Sequence, residues 1–419
     1  MLCFIHAADL HLDSPLRGLQ QYEGAPSERI RTAARAALIR LVDLAIERRV
    51  HFVILAGDIY DGDWPDYSTG QFFGKQMGRL NHAGIPVFMI SGNHDAASKI
   101  TRTLVLPDNV TRFDHQQAHS VRLDSLGVAI HGQSFATQAV TQDLSLNYPA
   151  AVPGYFNLGI LHTSATGRDG HENYAPCTIE GLCRHGYDYW ALGHIHQREI
   201  LSEQPFIAFS GNIQGRHIRE TGPKGCLLVT VDDQRRCQPQ FEALDVMRWE
   251  HIEIDTPCHE SLDQLLEEID ARLQKAMQAA DDRWIACRVS IRGATALHEL
   301  LNTDRIAFVE HVRGLANQLG NDACWIEKVR IETTPLATPE PQHEVSEDAV
   351  SEVLGVLNDL QRGELTLSDD EWDLASIATK FHHDLRQDAP WLNQAWTADL
   401  LEEARTRLLR HLQSQRGSP

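Results

Sequence analysis

The sequence lacks three things that would each have set a direction. Its eight cysteines form no C-x-x-C pair, no stretch approaches the ~18 uninterrupted apolar residues of a membrane span, and positive charge is in deficit. Without paired spacing the thiols are read as reduced, and Cys177, Cys183 and His185 fit no common zinc site. The opening "MLCFIHAADLH" has no basic segment leading into a long apolar one, so neither a secretory signal nor a membrane anchor is expected, and the expected location is cytoplasmic. The formal charge of -20, from 38 Lys and Arg against 58 Asp and Glu, argues against a polyanion surface spread over the whole chain. The deficit is uneven, however. Residues 1–247 hold 26 acidic and 21 basic side chains, residues 248–338 hold 16 and 10, and residues 339–419 hold 16 and 7. The last segment is the most acidic, which leaves the first able to present a basic rim to a polyanion.

What is present points to several domains, since 419 residues at 42% hydrophobic content exceed one core. In the first segment apolar runs alternate with helical patterns: "LCFIHAA" reads as a strand, 28–49 as a helix, "HFVILAG" as a strand, 68–83 as a helix and "IPVFMIS" as a strand. Beyond residue 120 strands dominate ("VRLDSLGVAIHG", "FNLGILHT", "YDYWALG", "FIAFSG", "GCLLVTV"). The expected fold is α/β, with two packed β-sheets flanked by helices. From "WEHIEID" a small α+β unit follows, with Leu262, Leu265, Leu266, Ile269, Leu273 and Met277 at helical spacing and strands "WIACRVSI" and "ACWIEKVRIE". Three prolines in "TTPLATPEPQ" mark a linker. Val350, Val353, Leu354, Leu357 and Leu360, then Trp396, Leu400, Leu401, Ala404 and Leu408, predict a helical tail. The expected boundaries are 1–247, 248–334, a linker over 335–346, and a tail over 347–419 that packs on itself or docks a partner.

The chemistry gathers at strand ends. Asp9 and His11 follow the first strand, Asp58 the second and Asn93 the third. His162 and the pair His194 and His196 in "GHIH" follow two later ones. In open α/β sheets ligand sites form where strands end, so residues scattered in sequence can converge. With an extended backbone, each pair spaced by one residue would face one side. The glycines before Asp58, Asn93 and His194 permit sharp turns. Imidazole, carboxylate and amide oxygen without thiolate suit manganese, iron or zinc. Two ions about 3.5–4 Å apart, bridged by a carboxylate, would hold a hydroxide for in-line attack at phosphorus.

The blocks "DLH", "GDIYD", "GNHD", "LHT" and "GHIH", in this order over roughly the first 245 residues, resemble the calcineurin-like metallophosphoesterase superfamily. Within it, "FIHAADLHLDSP", "GDIYDG", "GHENYAPC" and "GNIQGRHIRETGPKG" resemble the SbcD-like DNA-repair exonucleases, especially their YhaO branch. The resemblance implies a nuclease domain over 1–247, a capping domain over 248–334 and a helical tail. It assigns Asp9, His11, Asp58 and His196 to one ion and Asp58, Asn93, His162 and His194 to the other, with Asp58 bridging. His94 would serve the leaving oxygen, and Asp95 would orient its ring. It further implies Mn²⁺-supported exonuclease activity on DNA ends and a coiled-coil, SMC-like ATPase docked on the tail, with a homodimer as a further expectation.

Arg216, His217, Arg219 and Lys224 in "GRHIRETGPKG", and Arg17, are candidate phosphate contacts, with a solvated surface charge as the alternative for each. Asp61 stands where some relatives have histidine, which leaves its role open. Asp13 and Ser14 are expected to be structural, His171, Glu172 and Asn173 to lie in a surface loop, and His6 to be a satisfied core histidine. Two other functions compete. One is a phosphatase or phosphodiesterase with a non-DNA substrate, although the arginine of the protein-phosphatase block G-D-x-x-D-R-G is missing after Asp61. The other is a scaffold without catalysis, which the complete ligand set disfavours.

Overall fold

The computed structural model describes residues 1–14, 26–61, 67–97, 105–165, 174–257, 259–281, 283–320 and 323–336, together with Gly355 and Asp359. Arg17, the loop residues His171, Glu172 and Asn173, and the expected tail helices lie outside the described residues. The chain divides into two compact units, Met1–Leu336 and Ala337–Pro419.

The first sheet contains β1 (Leu2–Ala7), β2 (Phe52–Ala56), β3 (Val87–Ile90), β4 (Val110–Arg112), β11 (Gly225–Val231) and β12 (Cys237–Ala243). Its order is β12-β11-β1-β2-β3-β4, with β1 to β4 mutually parallel. The second contains β5 (His119–Leu123), β6 (Val128–Gly132), β7 (Phe156–His162), β8 (Tyr189–Gly193), β9 (Glu199–Glu203) and β10 (Phe206–Phe209), in the order β5-β6-β7-β8-β10-β9. Here β6, β7, β8 and β10 run parallel. The single stretch expected over "VRLDSLGVAIHG" is a hairpin, because Gly127 takes a left-handed φ of 61° and turns the chain between β5 and β6.

Helices α1 (Ser27–Glu47), α2 (Ser68–His82), α3 (Asn93–Ala97) and α4 (Ile179–Arg184) belong to the same segment. Side chains alternate across each strand. Phe4, Phe52, Ile54 and Phe88 point from the first sheet to meet Ile130, Leu158, Ile160 and Tyr189 of the second. Ile5, Val53, Leu55 and Met89 point the other way, onto Leu38, Leu41, Phe73 and Met77 of α1 and α2. Leu161, Trp190 and Leu192 cover the outer face of the second sheet with Leu182 of α4. Strands buried on both faces are apolar throughout, so the central ones read as continuous runs in the sequence.

The second segment holds β13 (Met247–Asp255), α5 (Leu262–Ala280), β14 (Trp284–Thr295), α6 (His298–Thr303), α7 (Arg305–Gln318) and β15 (Cys324–Pro335). All three strands are parallel, each crossover carrying helix. Strand β15 continues through Pro335, into the expected linker, since proline is tolerated at the end of an edge strand. Met247, Trp249, Trp284 and Ala286 pack on Ile30 and Ala33 of α1, joining the two segments. Among the described residues, no helix is long and apolar enough to cross a membrane.

Candidate metal centre

Asp9 and His11 follow β1, Asp58 follows β2, Asn93 opens α3 after β3, His162 ends β7, and His194 and His196 follow β8. These residues meet at the ends of the parallel strands of both sheets. The backbone there is not extended, contrary to the expectation for the spaced pairs. Asp9, His11, Asp58 and His194 take φ values of 53°, 44°, 51° and 101°. Such left-handed positions cost a non-glycine residue on the order of 1–3 kcal/mol each and persist only when their surroundings impose them. Here the surroundings are backbone bonds: Asp9 N–H donates to Gly57 O and His11 N–H to Asp58 O, both at 3.0 Å. Glycine is required where the strand ends crowd together. A Cβ at Gly92 would lie 2.3 Å from Asp58 Oδ1, and one at Gly193 would lie 2.0 Å from the carbonyl oxygen of Ala56.

Ligand atoms of Asp9, His11 and His196 lie within 4.8 Å of one another, as do those of Asp58, His162 and His194, and those of His11, Asp58 and His94. Asp58 Oδ2 stands 3.8 Å from His11 Nε2 and 3.4 Å from His162 Nε2, the place of a bridging carboxylate. Both oxygens of Asp9 accept the backbone N–H of His194, at 3.1 and 3.0 Å.

A cation suits this donor set. His162 Nδ1 is 2.9 Å from the Ala56 carbonyl, which can only accept, so that nitrogen carries the proton. His162 Nε2 then offers a lone pair while facing Asn93 Oδ1 at 3.0 Å and the Asp58 carboxylate. Acceptors facing acceptors call for positive charge between them. Where no cation supplies that charge, a proton on Nε2 does: burial opposes charging of the ring, yet Asp58 overrides this and the His162 pKa is pushed up to about 9. Asp58 itself is held down to about 2, the charged His162 outweighing its burial. The donor chemistry fits divalent cations, with Asp58 standing between the Asp9, His11 and His196 group and the His162 and His194 group.

His94 stands beside the cluster, its ring 5.0 Å from that of His11. The expected partner of this ring was Asp95, and the structure corrects that. Asp95 is buried and accepts the backbone N–H groups of Ile59, Tyr60 and Gly92 at 3.1, 2.9 and 3.1 Å, tying the ends of β2 and β3 together. Asp61 takes the orienting role, with Oδ1 at 2.6 Å from His94 Nδ1. Burial would lower the pKa of His94, but the hydrogen bond to Asp61 and the charge of Asp58 raise it. Asp61 is in turn fixed by the Ser14 hydroxyl and by Arg216 Nη1 at 3.2 Å. Asp13 is structural, bonded to Arg35 and Thr69.

The candidate phosphate contacts separate. Arg216 lies beside the cluster, reaching both Asp61 and Glu220. Lys224 is not at the rim: it is buried, and its Nζ donates to the His196 carbonyl at 3.1 Å. Its aliphatic stem makes that burial tolerable, and its ammonium holds the backbone of a ligand rather than a substrate. Arg219 and His217 are exposed on the same loop. Glu220, 2.6 Å from His196 Nδ1, was not singled out in the sequence, where only its place in the "GRHIRE" block hinted at it. His6 is a core histidine, bonded to the Tyr189 hydroxyl at 3.0 Å and to the Leu192 carbonyl at 3.2 Å.

Family comparisons agree with this geometry. Residues 3–198 match the model of calcineurin-like phosphoesterases, and residues 249–334 match that of the metallophosphoesterase YhaO middle domain. The uncharacterized metallophosphoesterase YhaO of Bacillus subtilis is 32% identical over 335 residues, spanning 79% of this chain and 81% of that protein. The chain belongs to the calcineurin-like metallophosphoesterases. A solved dimetal phosphatase from Danio rerio aligns with this metallophosphoesterase at 12% identity and a TM-score of 0.35, over 55% of this chain and 93% of that one. By its family matches and its 32% identity to YhaO, the protein is a metallophosphoesterase hydrolase and a homologue of YhaO.

Proposed function

We propose that this metallophosphoesterase is a DNA nuclease subunit that hydrolyses phosphodiester bonds at DNA ends in repair. The observation that carries the reading is His94, held through Nδ1 by Asp61 beside two clusters of ligands. A diester expels an alkoxide, and a positioned acid is what that leaving group needs. Divalent cations, when bound, supply Lewis-acid charge to the phosphoryl oxygens and render water nucleophilic at neutral pH. With Nδ1 donating to Asp61, the charged ring of His94 presents Nε2–H to the departing oxygen. Arg216 places a guanidinium at the edge of the cluster, where it offers the phosphate a cationic partner. DNA as the substrate is supported by the likeness of the "GHENYAPC" and "GNIQGRHIRETGPKG" blocks to the YhaO branch of the SbcD-like exonucleases. Mn²⁺ as the cation and an SMC-like ATPase as partner belong to the same proposal. The partner would add DNA-binding surface to that of an acidic chain.

The test is hydrolysis by the purified full chain of end-labelled linear double-stranded DNA beside bis-p-nitrophenyl phosphate, with Mn²⁺ or EDTA and with His94→Ala in parallel. Loss of DNA that requires Mn²⁺ and disappears in the variant is expected. Cleavage of the small ester alone, unchanged when a coiled-coil ATPase is added, would move the assignment to a non-DNA phosphoesterase. Bound metal with neither substrate cleaved would leave the scaffold reading.

A further inference from the structure

Glu220 lies in the loop between β10 and β11 and is 5% exposed. Its two carboxylate oxygens face different chemistry. Oε1 is 2.6 Å from His196 Nδ1. Oε2 accepts from the backbone N–H of Arg216 at 2.7 Å and from Asn212 Nδ2 at 3.0 Å. A peptide N–H can only donate, so whatever atom occupies the Oε2 position must accept.

We propose that Glu220 is a positioning residue of the metal centre: by accepting the Nδ1 proton of His196, it leaves the Nε2 lone pair facing the ligand cluster. The inference rests on the metal-centre reading above and adds to it which residue decides the tautomer of one ligand. His196 Nε2 stands 3.1 Å from His11 Nε2, so both rings aim the same atom at one point. A ligating imidazole whose other nitrogen donates to a carboxylate is fixed in orientation and more basic.

The carboxylate is held within its loop, and the loop is held from outside. Within the loop, Arg216 Nη2 lies 3.4 Å from Oε1. At the entry to the second segment, the Val246 N–H donates to Gln214 Oε1 and Gln214 Nε2 donates to the Met247 carbonyl, both at 2.9 Å. Trp249 Nε1 of β13 donates to Gly215 O at 3.1 Å. The strand that opens the second segment therefore grips the loop that orients a ligand of the first.

The geometry makes Glu220→Gln a sharp test. The two donors at Oε2, at 2.7 and 3.0 Å, outweigh the longer 3.4 Å contact of Arg216 Nη2 at Oε1, so the amide oxygen takes the Oε2 place and the NH2 turns toward His196 Nδ1. That nitrogen must then accept, and the ring proton moves to Nε2, the atom required for a cation. In metal-free full chain labelled with ¹⁵N-histidine, long-range ¹⁵N–¹H correlation reads the tautomer, with the His196 signals identified by their loss in His196→Gln. The proton is expected on Nδ1 in the native chain and on Nε2 in Glu220→Gln. Calorimetric titration with Mn²⁺ should show about 10–100-fold weaker binding at one of two sites in the variant. Glu220→Asp, which keeps the charge, should preserve the tautomer and recover part of the affinity. A native His196 protonated on Nε2 overturns the proposal even if no variant folds. So does a folded Glu220→Gln chain with native affinity at both sites. A native chain that takes up no Mn²⁺ instead sinks the metal-centre reading, and calorimetry distinguishes that failure from the other two.

Discussion

Asp61 shows how one carboxylate can set both the direction and the charge of a histidine. It accepts from His94 Nδ1 and raises the pKa of the ring against the effect of burial. As an acid, His94 must be protonated, so its contribution is present below its raised pKa and lost as pH rises through that value. Asp61→Asn should lower kcat toward bis-p-nitrophenyl phosphate by roughly 10–100-fold with a smaller change in KM, and should move the alkaline limb of the kcat–pH profile to lower pH. An unmoved limb would detach Asp61 from the chemistry. The residues that the structure gathers into one cluster were legible because each is a chemically distinctive residue at a strand end. The sequence assigned the wrong carboxylate to His94 because Asp95 is adjacent in the chain, whereas the bend after Asp58 brings Asp61 to the ring and α3 turns Asp95 back to the backbone.

At the scale of elements, β1 and β8 are joined across the sandwich by a polar contact inside an apolar layer. The Leu192 carbonyl must accept from His6 Nε2, which leaves His6 Nδ1 to accept from the Tyr189 hydroxyl, and the ring is neutral. Burial holds its pKa down to about 3, against its ordinary value near 6.5. The unfolded chain takes up a proton below pH 6.5 while the folded chain does not, so stability is full above that pH and lost as pH falls toward 3. Between pH 8 and pH 5 the loss from this one group is about 2 kcal/mol. Urea titrations should show His6→Gln losing less stability by about that amount over the same interval, even if it is less stable at pH 8. The central strands themselves were legible as apolar runs. Strands β9 and β12 were not, because edge strands with exposed faces carry mixed, polar sequences such as "EILSE" and "CQPQFEA".

Across the whole Met1–Leu336 unit, the first and second segments meet at Asp245. Its carboxylate is fully buried, 2.8 Å from Arg248 Nε and 2.7 Å from Arg283 Nε. Removing one member of a buried ion pair strands the other charges, at a cost of about 3–5 kcal/mol. Asp245→Ala should therefore lower the stability of the full chain by that order in urea. The two segments should still unfold in a single transition in the native protein, followed by tryptophan fluorescence and far-ultraviolet circular dichroism together. Noncoincident transitions in the native chain would show that the segments are energetically separate. The sequence marked the change of pattern near residue 247 but not this junction, because a buried Asp with two Arg partners looks in sequence like ordinary surface charge. The left-handed bends at the centre have one further consequence. Shape and charge can be exchanged independently there, because asparagine shares aspartate's tolerance of positive φ and glutamate does not. Asp9→Asn should keep the native thermal midpoint in EDTA while losing cation affinity, whereas Asp9→Glu should keep the charge and give up about 1 kcal/mol of stability. In this protein the residue that best preserves the loop is the one that abolishes its purpose.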